Sequence, residues 1–108
     1  MTGELLVSAL PAFAAELEGL LLASDEPELA AQVQQLRIVG RCRCHDSFCS
    51  SFYSEARPEG AYDAKRPCVC LEPLSGLIVL DVAEERIVYV EVLYREDVQK
   101  VLAALFPE

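Results

Sequence analysis

Residues 42–49 read CRCHDSFC, which places three cysteines and the chain's one histidine within eight positions. Cys68 and Cys70, in the segment PCVC, complete a set of five cysteines. Structural zinc takes four such thiolate or imidazole ligands in a tetrahedron, with sulfur at about 2.3 Å. The same groups serve redox chemistry, and a thiol with a base in reach serves as a nucleophile. Free cysteine is also among the most buried residue types and packs as a small hydrophobe. Three readings therefore compete: a zinc site, a thiol device, and a stripe of small core residues.

The elements around the cysteines decide which of them can meet. The segment LRIVGRCRC, residues 36–44, alternates, with Ile38, Gly40, Cys42 and Cys44 on one face and Val39, Arg41 and Arg43 on the other. Such alternation predicts a half-buried strand. FCSSFYS, residues 48–54, predicts a second strand, with HDSF as the hairpin connection. In that register Cys44 faces Cys49 and Cys42 faces Ser51. Cross-strand partners lie about 4.5–5.5 Å apart at Cβ, so Cys42, Cys44 and Cys49 converge on one side. Cys68 and Cys70 share a face by the same alternation. If their strand pairs alongside, up to five sulfurs meet, and Cys42, Cys44, Cys49, Cys68 and Cys70 are the candidate metal ligands. His45 falls on the opposite face in this register, beside Asp46. A nucleophile built on Cys44 or Cys49 would have these two as its only neighbours in the segment.

The rest of the chain reads as α+β: N-terminal helices, a five-stranded antiparallel meander sheet and a C-terminal helix, in one domain. Residues 1–35 form the helical part, 36–94 the sheet and 95–106 the last helix. Leu6, Leu10, Phe13, Leu17, Leu20 and Leu21 recur at helical steps. Pro11 suits a first turn, so a short helix ends near Ala9 and a longer one runs to about Ala23. SDEPE signals another start, with Ser24 or Asp25 as N-cap, and a helix to about Gln35. Residues 55–67 form a polar loop with two prolines and a glycine. CVCLE, GLIVLDV and RIVYVEVLY predict three more strands, joined by tight turns at LSG and AEE. REDVQKVLAALF predicts an amphipathic helix with Val98, Val101, Leu102 and Leu105 on one face.

Two partner surfaces follow. RIVYVEVLY is apolar on both faces, with Val88, Val90 and Val92 on one and Ile87, Tyr89 and Leu93 on the other. The helices suffice for one face, so the Ile87–Tyr89–Leu93 set, or the Val88–Val92 set, is expected to need a protein partner or a second copy. The polar loop offers Arg57, Tyr62, Lys65 and Arg66 as recognition residues.

The net charge of −9 argues against nucleic acid and against anionic membranes as partners. It is unevenly spread: −6 over residues 1–35, +2 over 36–67 and −5 over 68–108. The cysteine-rich segment therefore lies in the basic part. No apolar run approaches the roughly 18 residues of a membrane span, and the acidic start MTGE is the wrong sign for a signal peptide. Five cysteines is an odd number for a closed disulfide framework, and the expected compartment is the reducing cytoplasm. No phosphate loop, nucleophile elbow or zinc-protease helix is present in the sequence.

GRCRCHDSFCSSFYS and LIVLDVAEERIVYVEVLYREDVQKVL, within residues 37–102, resemble small uncharacterised bacterial proteins. These share a C-x-C-x4-C-x-S-F-Y segment and a closing V-E-V-L-Y strand. The resemblance implies an antiparallel domain of bacterial origin and supplies neither an activity nor catalytic residues. CVC is not part of the shared pattern. Together these readings favour a non-enzymatic acidic protein-binding module, of inhibitor or immunity type, without a cofactor. The alternative is a thiol protein whose cysteines hold structural zinc or respond to redox state.

Overall fold

The computed structural model describes residues 3–41, 49–54, 68–73, 75–83 and 85–106. Strand β1 (Glu4–Leu5) is followed by α1 (Leu6–Ala9), α2 (Pro11–Ala23) and α3 (Pro27–Gln32), and a 3-10 turn covers Val33–Gln35. Pro11 and Pro27 each stand in a first helical turn, where a missing N–H costs nothing. Phe13, Ala14, Leu17 and Leu21 form the buried stripe of α2. Asp25 is not an N-cap. It ends α2 in the left-handed region, φ 61°, and the Glu26 N–H returns to the Leu21 carbonyl at 2.9 Å. This is the bonding pattern of a Schellman stop. The next helix starts at Pro27 without a side-chain cap.

The strands are β2 (Arg37–Ile38), β3 (Gly40–Arg41), β4 (Phe52–Tyr53), β5 (Cys68–Leu71), β6 (Leu77–Ala83) and β7 (Arg86–Leu93), and α4 (Glu96–Leu105) closes the chain. Two sequence expectations need correction. Glu4–Leu5 is not helical but pairs antiparallel with Arg37–Ile38. The five-stranded antiparallel sheet is not laid down in meander order. Its order is β3-β4-β7-β6-β5, so the last strand is central and the cysteine strand β5 lies at the edge.

All four helices supply side chains to one core. Leu6, Phe13, Leu17, Leu21, Leu29, Val98 and Leu102 pack against Phe52, Leu71, Ile78, Leu80, Ile87, Val90 and Val92. Arg41, opposite Phe52 in the ladder, donates to the Phe106 carbonyl at 3.4 Å and brings the end of α4 to the same side. Arg95 ties the start of α4 to α2 through a bidentate pair with Glu16, at 2.7 and 2.9 Å, and sits 5.6 Å from the centre of the Phe13 ring. The helices thus cover one face of the sheet, and no helix of the described residues lies on the other.

A β-bulge decides which side chains face that core. Asp81 pairs with Tyr89 but Val82 pairs with Ile87, which leaves Val88 as an extra residue in β7. An extra residue shifts the alternation by one. Ile87 is therefore in the core with Val90 and Val92, only 1% exposed, and not on the surface with Tyr89 and Leu93. Gln32 at the end of α3 holds the distorted end of the hairpin: its Nε2 donates to the Glu85 carbonyl at 2.7 Å, and its Oε1 accepts from the Ile87 N–H at 2.9 Å. At the other end of the hairpin, Gly76 has φ 77°, and a Cβ there would lie 2.5 Å from the Leu93 oxygen, so that turn admits no side chain.

The Gln32 clamp makes a stability prediction. Gln32→Ala removes one exposed and one part-buried hydrogen bond at the bulge, at a cost of about 0.5–1.5 kcal/mol. Urea unfolding of the two proteins should show a lower midpoint for the variant with an unchanged slope. Equal midpoints would show that water replaces the amide without loss.

Candidate functional site on the helix-free sheet face

The side chains that alternate away from the core form three rows on the second face of the sheet. The first row crosses four strands: Tyr53 on β4, Tyr89 on β7, Asp81 on β6 and Cys68 on β5. Two residues along, Glu91, Val79 and Cys70 are neighbours. Cys49, Leu93 and Leu77 form the third row, with Cys49 joined to Leu93 by an isolated bridge. Tyr53, Tyr89, Asp81, Val79, Glu91, Leu93 and Cys49 are half-buried, whereas Cys68, Cys70 and Leu77 are exposed. The Tyr53 and Tyr89 rings lie with centroids 4.6 Å apart at a tilt of 49°.

The segment that carries Cys49 is held by hydroxyls. Strand β4 has only two residues, yet Ser50, Ser51 and Ser54 are all buried beside it. Ser51 Oγ accepts from the Val92 N–H at 2.9 Å, Ser54 Oγ donates to the Ile87 carbonyl at 2.7 Å, and Ser50 Oγ donates to the Arg95 carbonyl at 2.9 Å. These bonds substitute for ladder bonds and fix residues 49–54 against β7. The Cys49 thiol donates to Ser51 Oγ at 3.4 Å. Three serines in SSFYS are an ordinary surface signal, so their burial is not legible from residue type.

The strand order separates the cysteines. Cys49 lies on the β4 side and Cys68 and Cys70 on β5, with β7 and β6 between them. Three strand spacings amount to about 14 Å, far beyond a shared ion. A set that joins Cys49 to Cys68 or Cys70 is therefore not assembled. The described part of the β3–β4 ladder, Gly40 opposite Tyr53 and Arg41 opposite Phe52, has the register on which the Cys42–Ser51 and Cys44–Cys49 pairings rest. Cys42, Cys44 and His45 themselves lie outside the described residues, as do Arg57, Tyr62, Lys65 and Arg66. Among the described residues, no three His, Cys, Asp or Glu side chains are placed to hold a metal together.

Of the surface set expected on β7, Tyr89 and Leu93 are on this face and Ile87 is not. Tyr53, which the sequence reading did not single out, completes the aromatic pair. Its signal was available in the alternation of SFYS, once β4 is known to lie beside β7.

Cys68 and Cys70 share the exposed end of the patch. Desolvation pushes the Cys68 thiol above its ordinary value, and the adjoining Asp81 carboxylate adds to this by charge and by a hydrogen bond. Cys70 and Glu91 push the same way. The chemical result is a protonated, weakly nucleophilic thiol at neutral pH. A second candidate, a cleft of about 620 Å³ lined by Glu16, Leu20, Glu72 and Arg95, is a structural junction. Arg95 is already engaged there by Glu16 and Asp97, and Asp97 is held below its ordinary value first by the Arg95 hydrogen bond.

Asp81→Asn removes the carboxylate charge and should lower the Cys68 pKa toward the free-thiol value. Peptide-resolved alkylation by iodoacetamide at neutral pH should then be faster at Cys68 in the variant. An unchanged rate would show that Asp81 does not control this thiol. No family model matches the chain, no curated protein matches it, and no solved structure matches it.

Proposed function

We propose that the chain is a non-enzymatic acidic protein-binding module, of inhibitor or immunity type, that takes a basic protein surface on the helix-free face of its sheet. The observation that carries this reading is the one-sided cover: every helix among the described residues packs on the same face. The second face retains Tyr53, Val79, Tyr89 and Leu93 half-buried and Leu77 39% exposed. Four strands by three rows make a patch of about 19 Å by 20 Å. That is about half the area one partner contributes to a standard interface, so the patch serves as the centre and adjoining elements as the rim. The net charge of −9 supports a basic partner by steering encounter and rejecting acidic surfaces. The non-enzymatic part rests on the sequence, which has a single histidine and no phosphate loop or nucleophile elbow.

A homodimer is the other way to cover the face. It would bring Asp81 and Glu91 of both copies into one interface, with repulsion and desolvation to offset. The basic partner is therefore preferred. The odd cysteine count supports a reducing, cytoplasmic setting. No helix among the described residues is long and apolar enough to cross a membrane.

Affinity capture from the native cell extract tests the reading. A partner retained by the wild-type chain should be lost from Leu93→Lys and kept by Leu22→Lys, which changes an exposed residue of α2. Retention by both variants would move the interaction off this face. Light scattering of the purified chain should give a monomer, and a stable dimer lost in Leu93→Lys would favour self-association.

The alternative thiol reading is supported by the exposure of Cys68 and Cys70 side by side on the edge strand. Metal analysis of freshly purified protein separates the two. The binding-module reading expects metal well below stoichiometry. About one zinc per chain, the content of a closed structural site, would favour the thiol protein.

A further inference from the structure

Cys68 and Cys70 stand two residues apart on the edge strand β5, both exposed, while Val69 and Leu71 between and beside them turn toward the core. Residues i and i+2 of a strand share a face and are about 6.6 Å apart along it. Two metal–sulfur bonds of about 2.3 Å in line span about 4.6 Å, so each sulfur has to lean inward by only about 1 Å. Among the described residues, no third His, Cys, Asp or Glu is placed to make a larger set with them. Structural zinc takes four ligands and is not matched by a pair. Soft monovalent ions select thiolates and are satisfied by two in line. We infer that Cys68 and Cys70 form a two-thiolate site for a soft monovalent cation of the copper(I) or silver(I) class.

The surroundings favour a cation. Asp81 is the cross-strand partner of Cys68, and Glu91 stands one strand beyond Val79, the partner of Cys70. After desolvation, Asp81, Cys70 and Glu91 are what keep a proton on Cys68. A field that favours a proton at that sulfur favours any other positive ion there. The hydrogen bond from the Cys68 thiol to Asp81 does not block the site, because it is made through the proton that the metal replaces. Binding forms two sulfur–metal bonds and breaks two S–H bonds. Both protons leave to solvent, no electron moves, and the loaded site carries a net charge of about −1. Asp81 keeps its carboxylate and gains a cation beside it. The site is independent of the protein-binding reading, and either can fail without the other.

The test uses the full chain, reduced and freed of small thiols, and silver(I) as the probe. One equivalent is added, and each cysteine is followed by peptide-resolved alkylation. Cys68 and Cys70 should be protected together, each by about tenfold or more, because a metal-bound sulfur is no longer a free thiolate. Cys68→Ser should abolish the protection of Cys70, and Cys70→Ser that of Cys68. Both positions are exposed, so the variants should keep the amide NMR spectrum of the wild type away from β5. In the wild-type chain the same equivalent should shift the amides of residues 68–71 and 78–81, which locates the ion without any substitution. Protection of one thiol in the absence of the other, uptake of the first equivalent by other cysteines of the chain, or equal protection by zinc(II) at the same concentration would overturn the two-thiolate site. None of these results touches the protein-binding reading, which is decided by Leu93→Lys.

Discussion

The extra residue at Val88 sets the geometry on both sides of the sheet. Without it, the alternation of RIVYVEVLY would carry Ile87 onto the same side as Tyr89 and Leu93. With it, Ile87 joins Val90 and Val92 beneath the helices, and Tyr89 stands beside Asp81 on the other face. The distortion is tolerable because its loose backbone groups are used. Ser54 donates to the Ile87 and Val88 carbonyls, and Gln32 bonds to Glu85 and Ile87. A buried carbonyl or N–H without a partner costs as much as a small side chain contributes.

Among the described residues, helix covers one face of the sheet only. Residues 6–35 and 96–105 supply the apolar stripes that pack against the seven core side chains of the sheet. The second face compensates with a mixed composition. Tyrosines, a valine and leucines alternate with Asp81 and Glu91, so the surface stays hydrated while the chain is alone. Such a surface resembles neither a core nor a plain solvated face, and it supports the binding reading more than the overall acidity does.

Much of this was legible in the sequence. The periodicity of Leu6 to Leu21 located α1 and α2, with their boundary at Pro11, and the REDVQKVL pattern located α4. The alternation in LIVLDV and RIVYVEVLY located the central hairpin. Strand order was not legible, because alternation identifies a strand without naming its neighbour. That ambiguity underlies the convergence expected of all five sulfurs, which the interposed β6 and β7 exclude for Cys49 with Cys68 or Cys70. The bulge was hidden because Ile, Val and Tyr suit either face of a strand. Asp25 carried a strong helix-start signature, yet the local bonding uses it to stop the preceding helix; Asp tolerates the left-handed region and serves both ends.

The placement of the last strand at the centre of the sheet has a kinetic consequence. Segments 40–41 and 52–53 form a small hairpin on one side of β7, and 68–71 with 77–83 form another on the other side. Neither has a permanent neighbour until residues 86–93 arrive. On a ribosome, the chain must therefore hold two unfinished hairpins and an uncovered helical layer until its final third has emerged. Pairings such as Phe52 with Val90 close loops of long sequence separation, which are slow to form. Folding of this domain is thus biased toward the completed chain, and truncation before β7 would leave adhesive strand edges instead of a smaller stable sheet.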